Sequence, residues 1–307
     1  MDKIDQVYFS VVIPTYNRSS LLLNAINSVL SQTYPFFELI IADDCSTDNT
    51  ELVVKSINDS RIKYYKLSKN GGNAVARNAG VRLANYEFIC FLDSDDAYKN
   101  NFLEDVHQFC SSLNHHTGFF WTGIDIVDEN NHTISSGCWI PDARTNGPNQ
   151  FFYNLKTGTN CGLVVKRKYF DQIGGFDESL RAAVDTDFLL RLRKITNCEC
   201  LNKSLVIYHH HSNTDSVRKN YNNQSFAYTV ILKKHKDVWL NNRKLKNKWF
   251  YKALWLNYYA INKKSARRIY LQNWMHLKSF LILLLFELFP AKTAIEMHKK
   301  IASKGFV

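Results

Sequence analysis

The sequence predicts an α/β fold in which a mostly parallel sheet is flanked by helices, and three observations carry that expectation. Strand-like and helix-like apolar patterns alternate through the first hundred residues, the order that builds βαβ units. Acidic clusters follow directly on two of the strand-like runs, where ligands of such sheets bind. The third is a composition break near residue 230, beyond which the chain becomes strongly basic and rich in aromatic side chains.

The elements follow in order. Val7 to Ile13 is a β-branched run ended by Pro14, and Ser19 to Ser31 carries apolar residues at helical spacing. Phe37 to Ala42 is a second strand, closed by Asp43-Asp44. Thr47 to Ile57 reads as a helix entered through Ser, Thr and Asp, Ile62 to Leu67 as a short strand, and Ala74 to Leu83 as a helix behind Gly71-Gly72. A buried strand, Glu87 to Leu92, runs straight into Asp93-Ser94-Asp95-Asp96. Beyond residue 100 the order changes: a helix near Phe102 to Leu113, a strand near Gly118 to Val127, a Gly/Pro/Asn-rich loop from Pro141 to Gln150, and a strand near Gly162 to Lys166. The expected division is a domain over residues 1–230, with a ligand half to about residue 100 and an acceptor half after it, then a helical extension over 231–307.

Composition narrows the class. With 307 residues and 45% hydrophobic content the chain can bury a sizeable core. Seven scattered cysteines, an odd number, point to reduced thiols rather than a disulfide framework, and Cys198-Glu199-Cys200 lacks the spacing of a zinc site. The polar start, Met1 to Gln6, does not read as a secretory signal, so a cytoplasmic location is expected. Phe280 to Phe286 is far short of the roughly 20 residues that span a bilayer. The net charge of +11 is C-terminal: residues 231–307 hold 17 Lys and Arg against three acids, a net +14, while the first 230 carry −3. Trp239, Trp249, Phe250, Trp255, Tyr258, Tyr259, Tyr270 and Trp274 are interleaved with these cations. That mixture suits an anionic membrane surface, with a packed helical appendage as the alternative.

The Asp93–Asp96 cluster is the most informative segment. Three carboxylates within four residues repel one another at a sheet edge, and a hard divalent cation, Mn²⁺ or Mg²⁺, relieves that repulsion while binding substrate phosphates. Asp and Ser also form turns and helix caps, so the cluster needs its context.

That context resembles family 2 glycosyltransferases of the GT-A fold, whose Rossmann-like sheet fits the pattern above. The resemblance rests on Val11-Val12-Ile13-Pro14-Thr15-Tyr16-Asn17, Ile40-Ile41-Ala42-Asp43-Asp44, Gly72 to Gly80, and Asp93-Ser94-Asp95-Asp96. It continues through Gly174-Gly175-Phe176-Asp177-Glu178, Asp185-Thr186-Asp187 and the His209-His210-His211 run, covering roughly residues 8–218. The resemblance implies that Pro14, Thr15, Tyr16, Asn17 and Asp44 hold the nucleotide base, which favours uracil, and that Gly72 and Arg77 approach the phosphates or sugar. Asp93 and Ser94 would complete the nucleotide-sugar site, with Asp95 and His211 as metal ligands, His209 as the alternative and Asp96 less defined. Asp44 could instead cap a helix, since Ser46 and Asp48 follow. The family's Glu-Asp motif departs here, because Val184 stands where the glutamate is expected; Asp185 is then the candidate base, and Asp187 more simply pairs with Arg191 at i+4.

The function so implied is an inverting, metal-dependent transfer of one sugar from a UDP-sugar to a lipid-linked or surface-polysaccharide acceptor of lipopolysaccharide, O-antigen or capsule type. The protein would sit peripherally on the inner face of the membrane, bound through residues 231–307. A polyprenyl-phosphate sugar synthase is the near rival. Sugar nucleotidyltransferases share the sheet but want a basic Gly-rich signature, and Val11 to Ser19 offers only Arg18. A non-catalytic nucleotide-sugar binder is disfavoured by Asp185, and nucleic acid is not an expected partner.

Overall fold

The structure is a computed structural model describing residues 6–138, 151–152, 155, 160–210, 220–240, 242–272 and 276–303. The chain divides into two compact units: residues 1–179 with 184–214, and residues 180–183 with 215–307.

The first unit is built on one nine-stranded sheet. Its first half comprises β1 (Phe9–Thr15), α1 (Ser19–Leu30), β2 (Phe37–Asp43), α2 (Thr50–Lys55), β3 (Ile62–Lys66), α3 (Asn73–Leu83) and β4 (Phe88–Phe91). Then follow β5 (Ala97–Tyr98), α4 (Phe102–Cys110), β6 (Thr117–Val127), β7 (Thr133–Gly137), β8 (Leu163–Lys166), α5 (Arg167–Gln172), α6 (Val184–Ile195) and β9 (Asn197–His209). The strand order is β3-β2-β1-β4-β8-β6-β9-β5, with β7 paired to β6. The sheet is parallel from β3 to β4; beyond β4 it is mixed, since β8 runs antiparallel to β4 and β6 while β6 and β9 are parallel.

The strands β1, β2 and β4 are buried along their whole length, which is why they read as unbroken apolar runs. Phe9, Val11 and Ile13 meet Leu22, Ala25, Ile26 and Val29 of α1 in the main core, together with Leu39, Ile41 and Cys90. The i, i+3, i+4, i+7 spacing on α1 puts those four side chains on one stripe. On the opposite face α3 lies against β1 and β2, and its small residues Ala76, Ala79 and Gly80 permit the close approach.

Because β1 is hydrogen-bonded to β2 on one side and β4 on the other, the chain reverses direction across the sheet at β1. Ligands of open α/β sheets bind at such a reversal, outside the carboxyl ends of the strands, here those of β1 and β4.

The second unit contains six helices among the described residues: α7 (Tyr221–Lys234), α8 (Lys236–Leu240), α9 (Arg243–Tyr259), α10 (Lys263–Leu271), α11 (Leu277–Leu288) and α12 (Ala291–Ser303). Three begin on an asparagine that accepts from the backbone N–H three residues on: Asn220 from Asn223, Asn242 from Leu245 and Asn262 from Ser265. Five of the tail aromatics form its core. Trp239, Trp249, Phe250, Tyr258 and Tyr259 are all buried, with Trp239 stacked on Trp249 at 5.3 Å and Tyr258 on Phe286 at 4.7 Å. These five pack within the unit, as in the packed helical appendage given above as the alternative; Trp255 and Tyr270 are only partly buried, and Trp274 lies outside the described residues.

Candidate active site

The ends of three adjacent strands assemble the site. β1 and β2 finish in register, Thr15 opposite Asp43, and the next N–H, that of Asp44, donates to the Thr15 carbonyl at 2.9 Å. Leu92 N–H donates to the Val12 carbonyl, so the chain enters Asp93 beside the end of β1. Pro14 to Asn17, Asp44 and Asp93 to Asp96 therefore share one end of the sheet.

Asp44 does not cap a helix. Its two carboxylate oxygens accept from the backbone N–H groups of Gly71 at 2.6 Å and Gly72 at 2.7 Å, fixing the loop ahead of α3. Gly72 has φ +86°, a conformation that glycine adopts without steric cost. Capping falls to Asp48, which accepts from Ser19 N–H at the start of α1 and from Thr50 at the start of α2; these bonds hold its carboxyl down at about 2, against the opposing effect of burial.

Asn17 stands in the left-handed region at φ +50° and ties two loops together. Its backbone N–H donates to Ser46 Oγ, and its side-chain carbonyl accepts from Thr47 N–H. Tyr16 beside it is exposed, while Pro14 and Thr15 are buried. Thr15 Oγ1 and Arg77 Nε, both buried, have no hydrogen-bond partner among the described residues. A polar ligand at this end of the sheet would satisfy both.

Within the acidic cluster each carboxylate has a different partner. Asp93 pairs with the buried Arg77 at 2.5 Å, Asp95 pairs with Arg18, and Ser94 is buried between them. Asp96 turns inward: it accepts from the Cys161 thiol at 3.2 Å and from His209 N–H at 3.1 Å. Burial, and then the charges of Asp93 and Asp95, push its carboxyl well above the usual range. Asp96 thus fastens the end of β9 to the cluster. His211, two residues past β9, lies outside the described residues.

A divalent cation fits this donor set in its chemistry. Asp93 and Asp95 supply carboxylate oxygens, the ligands hard cations take, and both are partly open to solvent at 34% and 24%. Among the described residues no three His, Cys, Asp or Glu side chains are grouped to hold an ion, so phosphate oxygens and water would have to complete the shell.

Asp185 lies in the first turn of α6, 8% exposed, with Oδ1 accepting from Thr186 N–H at 2.9 Å. Asp187 is fully buried and pairs with Arg191 at 2.7 Å; Arg191 in turn donates to the Ile173 and Gly175 carbonyls. Four supporting residues had no assigned role in the sequence reading. Asn78 donates to the Phe176 carbonyl and to Glu178, and its own carbonyl accepts from Phe176 N–H. This clamp sets Phe176 under the Arg77 guanidinium, 5.6 Å from its centre. Arg18 and Cys161 are the others, and none of these contacts has a local sequence signal because the partners are far apart in the chain.

In β6, Trp121 is fully buried, and Asp125 is an internal clamp holding Lys99, Ser136 and Ser204. Asp128 closes a turn through Asn130 and His132.

A family model described as "Glycosyl transferase family 2" matches residues 10–174. The chain is 28% identical over 250 residues to the putative teichuronic acid biosynthesis glycosyltransferase TuaG of Bacillus subtilis, covering 80% of this chain and 91% of that one. It is 36% identical over 160 residues to the Escherichia coli UDP-Glc:alpha-D-GlcNAc-diphosphoundecaprenol beta-1,3-glucosyltransferase WfgD, 52% of this chain and 58% of the other. It spans 59% and 36% of the length of two uncharacterized glycosyltransferases, of Rickettsia prowazekii and Rickettsia conorii. Among solved structures, S. aureus TarS 1-349 in complex with UDP-GlcNAc superposes with a TM-score of 0.65 at 22% identity, over 80% of this chain and 72% of that one. That likeness is one of fold.

Proposed function

Since the chain belongs to glycosyl transferase family 2, we propose that it transfers a single sugar, with inversion, from a UDP-sugar to a lipid-linked or surface-polysaccharide acceptor. The observation that carries this reading is the convergence of Asp44, Arg77, Asp93 and Asp95 at the carboxyl ends of β1, β2 and β4, with two buried polar atoms beside them awaiting a partner. The names of similar proteins agree with it: one acts on a diphosphoundecaprenol-linked sugar, another is placed in teichuronic acid biosynthesis.

In this reading Pro14 to Asn17 and Asp44 bind the uracil and its ribose, with Asp44 accepting from the ring N–H through lone pairs its two glycine contacts leave free. Asp93 and Ser94 receive the ribose and diphosphate, and Gly72 and Arg77 line the phosphate path. Asp95 and His211 would hold Mn²⁺ or Mg²⁺, which when bound supplies Lewis-acid stabilisation of the charge on the departing diphosphate. Asp185 takes the proton of the acceptor hydroxyl as that oxygen attacks C1 from the face opposite the phosphate. Residues 231–307 hold the protein at the anionic inner face of the membrane, where a lipid-linked acceptor is presented. Among the described residues no helix is long and apolar enough to cross a bilayer.

The test incubates the full chain with Mn²⁺ and a panel of UDP-sugars and measures slow release of UDP. One donor should be hydrolysed and Asp95→Ala should abolish the release. No release from any donor, with Asp95→Ala indistinguishable from wild type, would sink the proposal.

A further inference from the structure

α11 has two apolar sides. One is buried through Ser279, Ile282 and Phe286, the last stacked on Tyr258. The other presents Leu277, Leu281, Leu284 and Leu288 to solvent, 69%, 55%, 37% and 72% exposed, with Phe280 beside them and Phe289 just beyond the helix end. Their i, i+4, i+7, i+11 spacing makes one continuous stripe along the helix. A water-facing helix surface normally carries polar residues, and a contiguous apolar patch of this kind marks an interaction surface.

Charge decides what covers it. Residues 231–307 carry a net +14, and the exposed Lys278 and Lys292 lie just inside and just beyond the helix in sequence. A second copy of the chain would bring two segments of net +14 together, whereas an anionic lipid surface supplies both the apolar medium and the opposite charge. Twelve residues are too few to span a bilayer, so the helix would lie in the interfacial plane with its leucines among the upper acyl chains. We infer that the Leu277–Leu288 stripe is the membrane-docking surface of this protein, with anionic phospholipid as its partner. The inference rests on the reading that the basic tail engages the membrane, and narrows it from 77 residues to one helix face.

The experiment co-sediments the full chain with vesicles of phosphatidylcholine alone and of phosphatidylcholine with phosphatidylglycerol. Wild type should partition onto the anionic vesicles in preference to the neutral ones. The Leu281→Ser/Leu288→Ser double variant should lose roughly tenfold or more of that partition, from the apolar area no longer buried, while UDP release from the donor and the melting temperature stay at wild-type values. Sedimentation of the double variant equal to wild type would overturn the inference. So would a concentration-dependent dimer, seen by analytical ultracentrifugation, that the two substitutions abolish without any vesicle binding by wild type. The two readings fail separately: wild type that releases UDP but binds no anionic vesicles removes the docking surface alone, and wild type that binds anionic vesicles but releases no UDP removes the donor reading alone.

Discussion

Asp185 and Asp187 sit two residues apart on α6, and the proposed reaction gives them different work. Asp187 is fully buried, and its carboxylate is committed to Arg191, which itself holds the Ile173 and Gly175 carbonyls. Removing it leaves an uncompensated guanidinium, so Asp187→Asn should cost about 3 kcal/mol and lower the melting temperature by several degrees. Asp185 is the base of the proposed reaction, so Asp185→Asn should instead reduce kcat by about 10²–10⁴ with the KM for donor little changed. Steady-state kinetics beside a thermal melt separates the two; a large loss of stability in Asp185→Asn would argue for a structural carboxylate. The Arg18–Asp95 pair makes a third residue-level prediction. In the proposed metal site Arg18 would compete with the cation for the same carboxylate, so Arg18→Gln should tighten Mn²⁺ binding without nucleotide, by up to about fivefold for a partly exposed pair. Isothermal titration reads this directly, and unchanged or weaker binding would show that the two do not compete.

At the scale of elements, the loop Gly174 to Glu178 and the helix α3 act as one support for Arg77. Gly175 has φ +70°, and a Cβ there would stand 2.6 Å from Asn78 Oδ1. Gly175→Ala should therefore destabilise the first unit by about 1–3 kcal/mol and loosen the Asn78 clamp, raising the KM for the donor through Arg77. Chemical denaturation and donor kinetics check the two halves of that statement. The parallel half of the sheet was legible because β1, β2 and β4 are unbroken apolar runs, and the positions of Asp44, Asp93 and Asp95 follow from strand ends. The contacts those residues make were not legible. Asp44 reads locally as a cap, yet its partners Gly71 and Gly72 lie 27 and 28 residues away, and Asp96 meets Cys161 across 65. No periodicity encodes a pairing of that separation. β9 escaped for another reason: its register against β6 shifts at three places, so its side chains do not alternate cleanly. The tail's composition left two arrangements open, since Trp and Tyr among lysines suit a membrane face and a small helical core alike, and burial puts five of these aromatics in the core.

Whole-molecule stability should depend on pH through a group far from the acidic cluster in sequence. His298 is buried in the second unit, with Tyr251 Oη 3.0 Å from Nε2 and Tyr259 Oη 2.8 Å from Nδ1. Burial holds the neutral ring and pulls its pKa down to about 4 from 6.5. The unfolded chain therefore binds the extra proton first. The stabilisation that the neutral ring contributes is complete above about pH 6.5, falls as pH drops toward 4, and is lost below it, a difference on the order of 2 kcal/mol. Asp96 works in the opposite sense, because a raised carboxyl pKa weakens the fold as pH rises through it. The His298 contribution must therefore be read as a difference between proteins. Melting followed by tryptophan fluorescence at pH 7 and pH 4.5 should show a larger loss for wild type than for His298→Gln, whose amide keeps polar contact with the tyrosines but cannot titrate. Since Trp239 and Trp249 are packed in the same helical core, their emission reports the unit in which the proton is taken up. Equal losses in the two proteins would place the acid sensitivity elsewhere.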